Sequence, residues 1–169
     1  MKYYKLLDEN NTGYYTGFMW DISGRWMEVT GELKKCSNGF HVLRANDIIE
    51  WLDCGFNLYI VEIGKEKIIC KTKLCVRKVR VVRKIKAYNV KNLLETVIKP
   101  AAQRAKEYAA KYSNAADYAQ RAATYTKYAE YSAQYAEYAA AAAANAAAAA
   151  NARYAAERRL QTKDLMTLL

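Results

Sequence analysis

The chain has 169 residues, and its 27 Lys and Arg against 17 Asp and Glu give a formal net charge of +10. All seven glycines lie at or before Gly64 and Pro100 is the only proline, which predicts one compact domain followed by an extension of different composition. No secretory signal is visible, and the only long low-charge stretch, residues 138–152, is too short and too weakly apolar to cross a bilayer. We therefore expect a cytoplasmic protein without a membrane partner.

Short strands separated by turns are predicted over residues 2–42, as a small β-meander. The turn sequences are Asn10–Gly13, Ser23–Gly24 and Ser37–Gly39. A short helix is then expected over Asp47–Leu52, with Asn46 as its N-cap and Gly55 as its end. The further predicted strands are Asn57–Ile63, Ile68–Cys70 and Leu74–Ile85.

The last predicted strand alternates with a period of two, but neither of its faces is purely apolar. One face carries Cys75, Arg77, Val79, Val81, Arg83 and Ile85, and the other carries Val76, Lys78, Arg80, Val82, Lys84 and Lys86. This mixture is typical of an edge strand or a bent strand, with arginine stems lying along the surface.

Basic residues are concentrated between Lys65 and Lys91. This stretch holds eleven Lys or Arg against Glu66 alone, so it carries +10 while the rest of the chain sums to zero. The concentration predicts attraction to an anion such as nucleic acid, a nucleotide or an acidic protein face. A solvated strand edge, where lysine discourages edge-to-edge aggregation, is the alternative. The candidate residues that would supply charge to a ligand are Arg77, Arg80 and Arg83.

From Asn89 onward the pattern becomes helical, and Pro100 is expected either to kink a continuous helix or to start a new one. If Tyr112 is set at heptad position a, alanine fills almost the whole a/d seam, which allows two helix backbones to approach closely. One unbroken helix would be roughly 100 Å long at 1.5 Å per residue. We therefore expect a coiled-coil oligomer or a helical hairpin broken at Asn145 or Asn151. The candidate oligomer interface comprises Ala115, Ala119, Ala122, Ala129, Ala133, Ala136, Ala140 and Ala143.

A second stripe on the tail combines tyrosine and arginine at alternating spacings of three and four residues, which places its members on one helix face. Its members are Tyr118, Arg121, Tyr125, Tyr128, Ser132 and Tyr135. One interpretation is that these rings pack on the β-rich domain or on a neighbouring helix. The functional alternative is a stacking surface, because aromatic rings beside arginine suit flat anionic ligands such as nucleotides.

No catalytic constellation stands out, so we expect a protein that is not an enzyme and has no cofactor or metal. His41 is the only histidine, and its sequence neighbours form no Ser/His/Asp or Cys/His arrangement. The spacings of His41 and the four cysteines match no usual zinc pattern, which favours buried free cysteines and a satisfied core histidine. The cysteines are Cys36, Cys54, Cys70 and Cys75. Glycine-rich phosphate loops are also absent from the sequence.

Several segments together resemble a small domain, without an assigned activity, that occurs in phage and prophage proteins. They are Met1–Leu7, Cys36–Val42, Ile48–Leu52, Leu58–Ile63 and Val76–Ile85. In that family a Cys-Gly-Phe-His type of turn precedes the short helix and alanine-rich extensions frequently follow, whereas here Ser37 and Asn38 separate Cys36 from Gly39. The resemblance covers about residues 1–88. It implies a phage origin, and hence the host cell cytoplasm, without implying an activity.

These observations predict an α+β protein with a β-rich domain over residues 1–88, a linker or helix start over 89–100, and an oligomerising helical segment over 101–169. The leading functional hypothesis is an oligomeric phage counter-defence protein that captures an anionic ligand, such as a nucleotide immune signal, or an acidic host protein; it rests on analogy of kind. A nucleic-acid-binding protein that uses the basic stretch is one alternative. A purely structural assembly protein is the other.

Overall fold

The chain forms two compact units in the computed structural model. The described residues are 2–129, 131, 133–150 and 154–169. The β unit comprises Met1–Glu50 and Cys54–Lys86, and the helical unit comprises Trp51–Asp53 and Ala87–Leu169. The predicted α+β class is confirmed, since a β-sheet domain with one 3-10 helix precedes a bundle of packed helices over residues 90–166.

Seven short strands among the described residues build two sheets in the β unit. Their bounds are β1 Tyr3–Leu7, β2 Met27–Glu28, β3 Phe40–Val42, β4 Asn57–Ile63, β5 Lys67–Ile69, β6 Leu74–Val76 and β7 Lys78–Lys84. The larger sheet has the order β1-β4-β7-β2 and the smaller one β3-β6-β5, with antiparallel pairing throughout. The meander predicted over residues 2–42 is therefore wrong, because β1, β2 and β3 each pair with a later strand and not with one another. Among the described strands, only β5 and β6 are neighbours both along the chain and in a sheet. Strands that are distant in sequence pair here because their apolar faces share one core, and the turn residues between neighbouring strands do not predict such pairing.

The predicted strand Leu74–Ile85 is divided at Arg77 into β6 and β7, which belong to different sheets. The expected bend is thus confirmed. The expected edge position is wrong, because β6 lies between β3 and β5 and β7 lies between β4 and β2. Val79 and Val81 of β7 are buried, so this strand contributes to the core despite its many charges.

The core of the β unit combines apolar side chains from both sheets with one from the connecting loop after β1. Its buried members are Leu7, Trp20, Phe40, Val42, Tyr59, Val61, Leu74, Val76, Val79 and Val81. The rings of Trp20 and Phe40 meet edge to face, with centroids 5.5 Å apart. Gly55 has a φ of +131°, and a Cβ at this position would overlap the Leu7 carbonyl, so the turn that leads into β4 requires glycine.

The short helix is a 3-10 helical segment over Ala45–Cys54 that is kinked at Trp51, where φ is −131° and ψ is 21°, and it extends beyond the predicted Asp47–Leu52 at both ends. The Asp47 carboxylate accepts hydrogen bonds from the Arg44 backbone N–H at 3.3 Å and from Arg44 Nη2 at 3.1 Å. The predicted Asn46 cap is therefore wrong. An ion pair between Arg44 and Asp47 holds the start of this helix instead.

Asn89 begins the helical path of the second unit, because its side chain accepts a hydrogen bond at 3.0 Å from the backbone N–H three residues later. A first helix, α1 (Val90–Leu93), passes through a π turn over Leu94–Ile98 into α2 (Lys99–Lys111). Pro100 lies in the first turn of α2. Since proline has no N–H to donate to the preceding turn, the wider π turn accommodates it without ending the helical path.

The tail folds back several times, so the predicted hairpin is expanded into a bundle. The remaining helices are α3 Ala116–Tyr128, α4 Ala133–Ala149 and α5 Tyr154–Met166. The chain leaves α2 at Tyr112, which has an extended φ of −140°. The predicted break at Asn145 is wrong, because this residue lies inside α4 with an exposed side chain whose amide water can satisfy. Asn151 lies outside the described residues.

The alanine seam is buried within this single chain. An all-alanine cluster joins α2, α3 and α4, and its buried members are Ala101, Ala102, Ala105, Ala115, Ala119, Ala122, Ala142, Ala143, Ala146 and Ala150. The predicted interface residues that are buried here are Ala115, Ala119, Ala122, Ala129, Ala136, Ala140 and Ala143. The Ala133 side chain lies outside the described part. Close helix packing is therefore made within the chain, and the seam does not require a second copy. Among the described helices, none is long and apolar enough to cross a membrane.

Candidate ligand-binding cleft and basic surface

The tyrosines of the tail meet between α3 and α4. The ring centroid of Tyr125 lies 6.2 Å from that of Tyr135 and 5.5 Å from that of Tyr138. Tyr128 and Tyr135 are also 5.5 Å apart. The predicted stripe is thus assembled from two helices, and its member Ser132 lies outside the described residues. Sequence reasoning missed Tyr138, although its position three residues after Tyr135 places both rings on one face of α4.

A shallow cleft of about 200 Å³ lies beside these rings. Its lining residues are Tyr118, Arg121 and Tyr125 of α3 and Tyr138, Ala141, Ala142 and Asn145 of α4. The guanidinium carbon of Arg121 is 6.0 Å from the Tyr118 ring centroid, and no described residue accepts a hydrogen bond from Arg121. Asn145 presents its amide to solvent. The cleft therefore offers ring faces, one uncommitted cation and one amide, which suit a flat ligand that carries a negative charge.

The stripe tyrosines differ in how far the protein covers them. Tyr118 and Tyr125 are half-buried against the alanine cluster, so the packing interpretation holds in part for these two. Tyr128 and Tyr135 remain 49% and 37% exposed, and they lie outside the cleft lining. The predicted ligand tyrosines are therefore divided between the cleft and its rim.

Arg77 is engaged within the protein. Its Nε and Nη2 donate to the Glu66 carboxylate at 2.5 and 2.8 Å, and its Nη1 donates to the carbonyl oxygens of Val29 and Gly31 at 3.1 and 2.6 Å. Hydrogen bonding to Glu66 raises the pKa of the Arg77 guanidinium above its usual value. Arg77 thereby connects Glu66, which directly precedes β5, and the loop after β2 to the junction of β6 and β7, and these contacts are typical of a structural residue.

Arg80 and Lys78 both lie near the ring of an exposed tryptophan, Trp26. The guanidinium carbon of Arg80 is 5.1 Å, and Lys78 Nζ 5.6 Å, from the Trp26 ring centroid. Each cation also has a glutamate partner, Glu62 for Arg80 at 2.6 Å and Glu28 for Lys78 at 3.0 Å. Arg83 differs, since it is exposed and no described residue forms an ion pair with it. Of the predicted ligand arginines in the β unit, Arg83 alone is uncommitted within the described part.

The candidate residues fall in both units, and each unit has its own set. Arg77, Arg80 and Arg83 belong to the β unit, whereas Tyr118, Arg121, Tyr125, Tyr128 and Tyr135 belong to the helical unit. The predicted charge-bearing arginines therefore belong to a different unit from the predicted stacking residues. Arg121 is the cation that the helical unit supplies to the cleft.

Burial lowers the pKa of two basic groups of the β unit, His41 and Lys5. Burial, with smaller effects of Lys73 and Lys5, lowers the pKa of His41 to about 4. Its Nε2 is buried and has no hydrogen-bond partner in the described part, so the expected satisfied core histidine is wrong for this atom. Burial also lowers the pKa of Lys5 to about 8, while its ammonium lies 4.8 Å from the Trp20 ring centroid.

The cysteines are free thiols. Cys54, Cys70 and Cys75 are buried, as expected, whereas Cys36 is exposed with a φ of +60°. Burial is the largest effect that raises the pKa of the Cys75 thiol, which therefore stays protonated and unreactive. Among the described residues, no group of three or more His, Cys, Asp or Glu side chains could hold a metal ion.

A buried polar network joins α5 to α2 and α4, and sequence reasoning missed it. Arg104 donates from Nε to both Glu157 oxygens at 3.1 and 3.0 Å. Gln161 Nε2 donates to Glu157 Oε1 at 3.1 Å and to the Ala140 carbonyl at 3.0 Å. Burial opposes the charge on Arg104, but hydrogen bonds and attraction to Glu157 outweigh it, so its pKa is raised. The available signal was the i, i+4 spacing of Glu157 and Gln161, which places both side chains on one face of α5.

The family described as a domain of unknown function, DUF7666, matches residues 1–93 of the chain. This region contains the whole β unit and the start of the helical unit. No curated protein matches the chain, and no solved structure does so either.

Proposed function

The chain belongs to the DUF7666 family, and we propose that it is a non-enzymatic binding protein whose helical unit holds a flat anionic ligand, such as a nucleotide, between α3 and α4. The observation that carries this proposal is Arg121, an uncommitted cation beside the rings of Tyr118, Tyr125 and Tyr138 in one cleft. Cation and rings together recognise both the charge and the flat face of such a ligand.

The size of the cleft limits what it encloses. A volume of about 200 Å³ suits one base or a comparable ring, while the rest of a nucleotide would lie toward solvent. Stacking on aromatic side chains stabilises a bound base by about 1–3 kcal/mol. Asn145 adds a hydrogen-bond donor and an acceptor that can select among bases.

A phage origin, a counter-defence role and self-association remain part of the proposal. Their support is the resemblance of residues 1–88 and the analogy with small phage binding proteins, whereas the family match contains no indication of a phage. An acidic host protein is the other ligand class that the net charge of +10 favours. A purely structural assembly protein remains the hypothesis in which the tail itself is the function.

Thermal shift and calorimetry with a panel of mononucleotides and cyclic dinucleotides test the cleft. We expect one ligand to raise the melting temperature and its relatives to do so much less, because a pocket discriminates by shape. Arg121→Gln and Tyr125→Leu should abolish this shift. Tyr128→Leu is the matched control, since Tyr128 lies on the same helix outside the cleft lining and its loss should leave most of the affinity. Equal loss in all three variants, or no stabilising ligand, would contradict the proposal.

Nucleic-acid binding at β7 is the second candidate, and the exposed Trp26 ring beside Lys78 and Arg80 favours it. Phosphate contacts by these cations and by Arg83 would make affinity fall steeply with salt for any sequence. Fluorescence anisotropy with labelled single-stranded DNA measures this dependence. Arg83→Gln should reduce the salt slope by about one, and an unchanged slope would exclude this surface.

A further inference from the structure

A groove between α2 and α3 in the helical unit has a volume of about 480 Å³. Pro100, Ala102 and Ala123 are its apolar residues. Its polar and charged residues are Glu95, Lys99, Gln103, Lys106, Thr126 and Lys127. We propose that this groove is a second anion site, which binds a condensed phosphate chain.

The charge of the groove supports this ligand class. Glu95 is paired with Lys99, which leaves Lys106 and Lys127 as cations for which no described residue provides an ion-pair partner. These two lysines stand on different helices, α2 and α3, so an anion between them is attracted from both sides. A lysine ammonium is a compact charge with rotatable donors, and it binds phosphate oxygens without demanding one planar geometry.

The helical backbone beside the groove is irregular, because a π turn precedes Pro100. Leu94–Ile98 forms the π turn, in which the Lys99 N–H donates to the Leu94 carbonyl, and Pro100 then has no N–H to donate. π turns inside helices occur frequently at functional sites, because they displace side chains from the regular helical positions. Here Glu95, Lys99 and Pro100, which all line the groove, come from this turn and the residues directly after it.

This site shares no lining residue with the tyrosine cleft. From α3, the groove uses Ala123, Thr126 and Lys127, whereas the cleft uses Tyr118, Arg121 and Tyr125. An oligophosphate has no ring to stack on tyrosine, so its binding separates the two sites. The same phosphate chain could be free or could be the tail of a nucleoside triphosphate, whose base would then lie on Pro100 and the alanines.

Calorimetry of the full chain with inorganic tripolyphosphate at low ionic strength tests the groove. We expect saturable one-site binding, weakened at least about tenfold by the double substitution Lys106→Glu and Lys127→Glu. The control is Lys111→Glu with Lys163→Glu, which changes the net charge equally at exposed positions outside the groove and should weaken binding less than about threefold. Circular dichroism of each variant establishes that its helices are retained.

The second arm compares ATP with tripolyphosphate in the Arg121→Gln, Tyr125→Leu background. Tighter ATP binding in that background would assign the groove to a nucleoside triphosphate, and equal affinities would assign it to the phosphate chain alone. Retained tripolyphosphate binding in this background supports the groove even if the tyrosine cleft has no ligand. Absence of saturable binding, or equal loss in the groove and control variants, would overturn the proposal.

Discussion

Arg77 has the charge that a ligand site would use, but its guanidinium is already bound to Glu66 and to two carbonyl groups. We therefore expect Arg77→Met to lower the urea midpoint of unfolding clearly, because it leaves these acceptors without their donor. Arg83→Met is the matched control on β7 and should leave the midpoint nearly unchanged. Equal midpoints for the two variants would show that the Arg77 contacts do not stabilise the fold.

His41 makes the stability of the β unit depend on pH. Its pKa is lowered from 6.5 to about 4, so between these values the unfolded chain binds the proton that the folded chain does not. The free energy of unfolding should therefore fall as the pH decreases from 6.5 to 4, and the contribution of His41 should be fully present above pH 6.5. Urea titrations at several pH values should show a smaller decrease for His41→Gln. An identical pH dependence in this variant would argue against a buried neutral histidine.

At the scale of elements, the buried polar network holds α5 against α2 and α4. Glu157 is 1% exposed and accepts hydrogen bonds from Arg104 and Gln161. Glu157→Ala removes this acceptor and leaves the half-buried Arg104 with Asp164 as its remaining carboxylate partner. We expect a loss of about 1–3 kcal/mol in the free energy of unfolding. Glu107→Ala, at an exposed position of α2, should change it by less than about 0.5 kcal/mol. A small effect at Glu157 would mean that the network contributes little to the packing of α5.

The helices also show why the tail bends where it does. Its alanines favour helix at every position, so helix propensity could not locate the ends of α2, α3 and α4. Asn145 looked like a break by residue type, yet it lies inside α4 on an exposed face. Packing in the bundle sets the ends of these helices, because burial of small side chains stabilises a helix only where a second helix packs closely against it.

At the scale of the whole molecule, the question is whether the alanine seam also joins separate copies. Ala122 is fully buried within one chain, so Ala122→Glu should place an unpaired charge in the bundle and lower the free energy of unfolding by more than about 3 kcal/mol. Ala148→Glu is the control, at an exposed position of α4, and should be tolerated. Thermal unfolding followed by helicity measures both.

Light scattering completes this test. An oligomer whose mass falls to 19.2 kDa in Ala122→Glu, with helicity retained, would restore the seam to an intermolecular role. A loss of helicity at every protein concentration would instead confirm that the alanine seam packs between helices of the same chain. Self-association, if measured, would then have to use another surface.

The sequence by itself determined the α+β class, the strand Asn57–Ile63 to its ends, the helical start at Asn89 and the fact that the alanine seam is buried. Each of these follows from neighbours along the chain: a run of buried-type residues, a change to helical periodicity, or a repeat of small residues. Such signals are local, and tertiary contacts reinforce them here.

Only the tertiary structure decided which charges are free and which rings share a cleft. Arg77 meets Glu66, and Tyr125 meets Tyr138, through pairings between different strands or helices that no local period encodes. The sheet order and the buried Glu157 network depend on the same long-range contacts. The physical reason is that an ion pair or a stacked ring is defined by distance in space, whereas a sequence pattern specifies only the face of an element on which a residue lies.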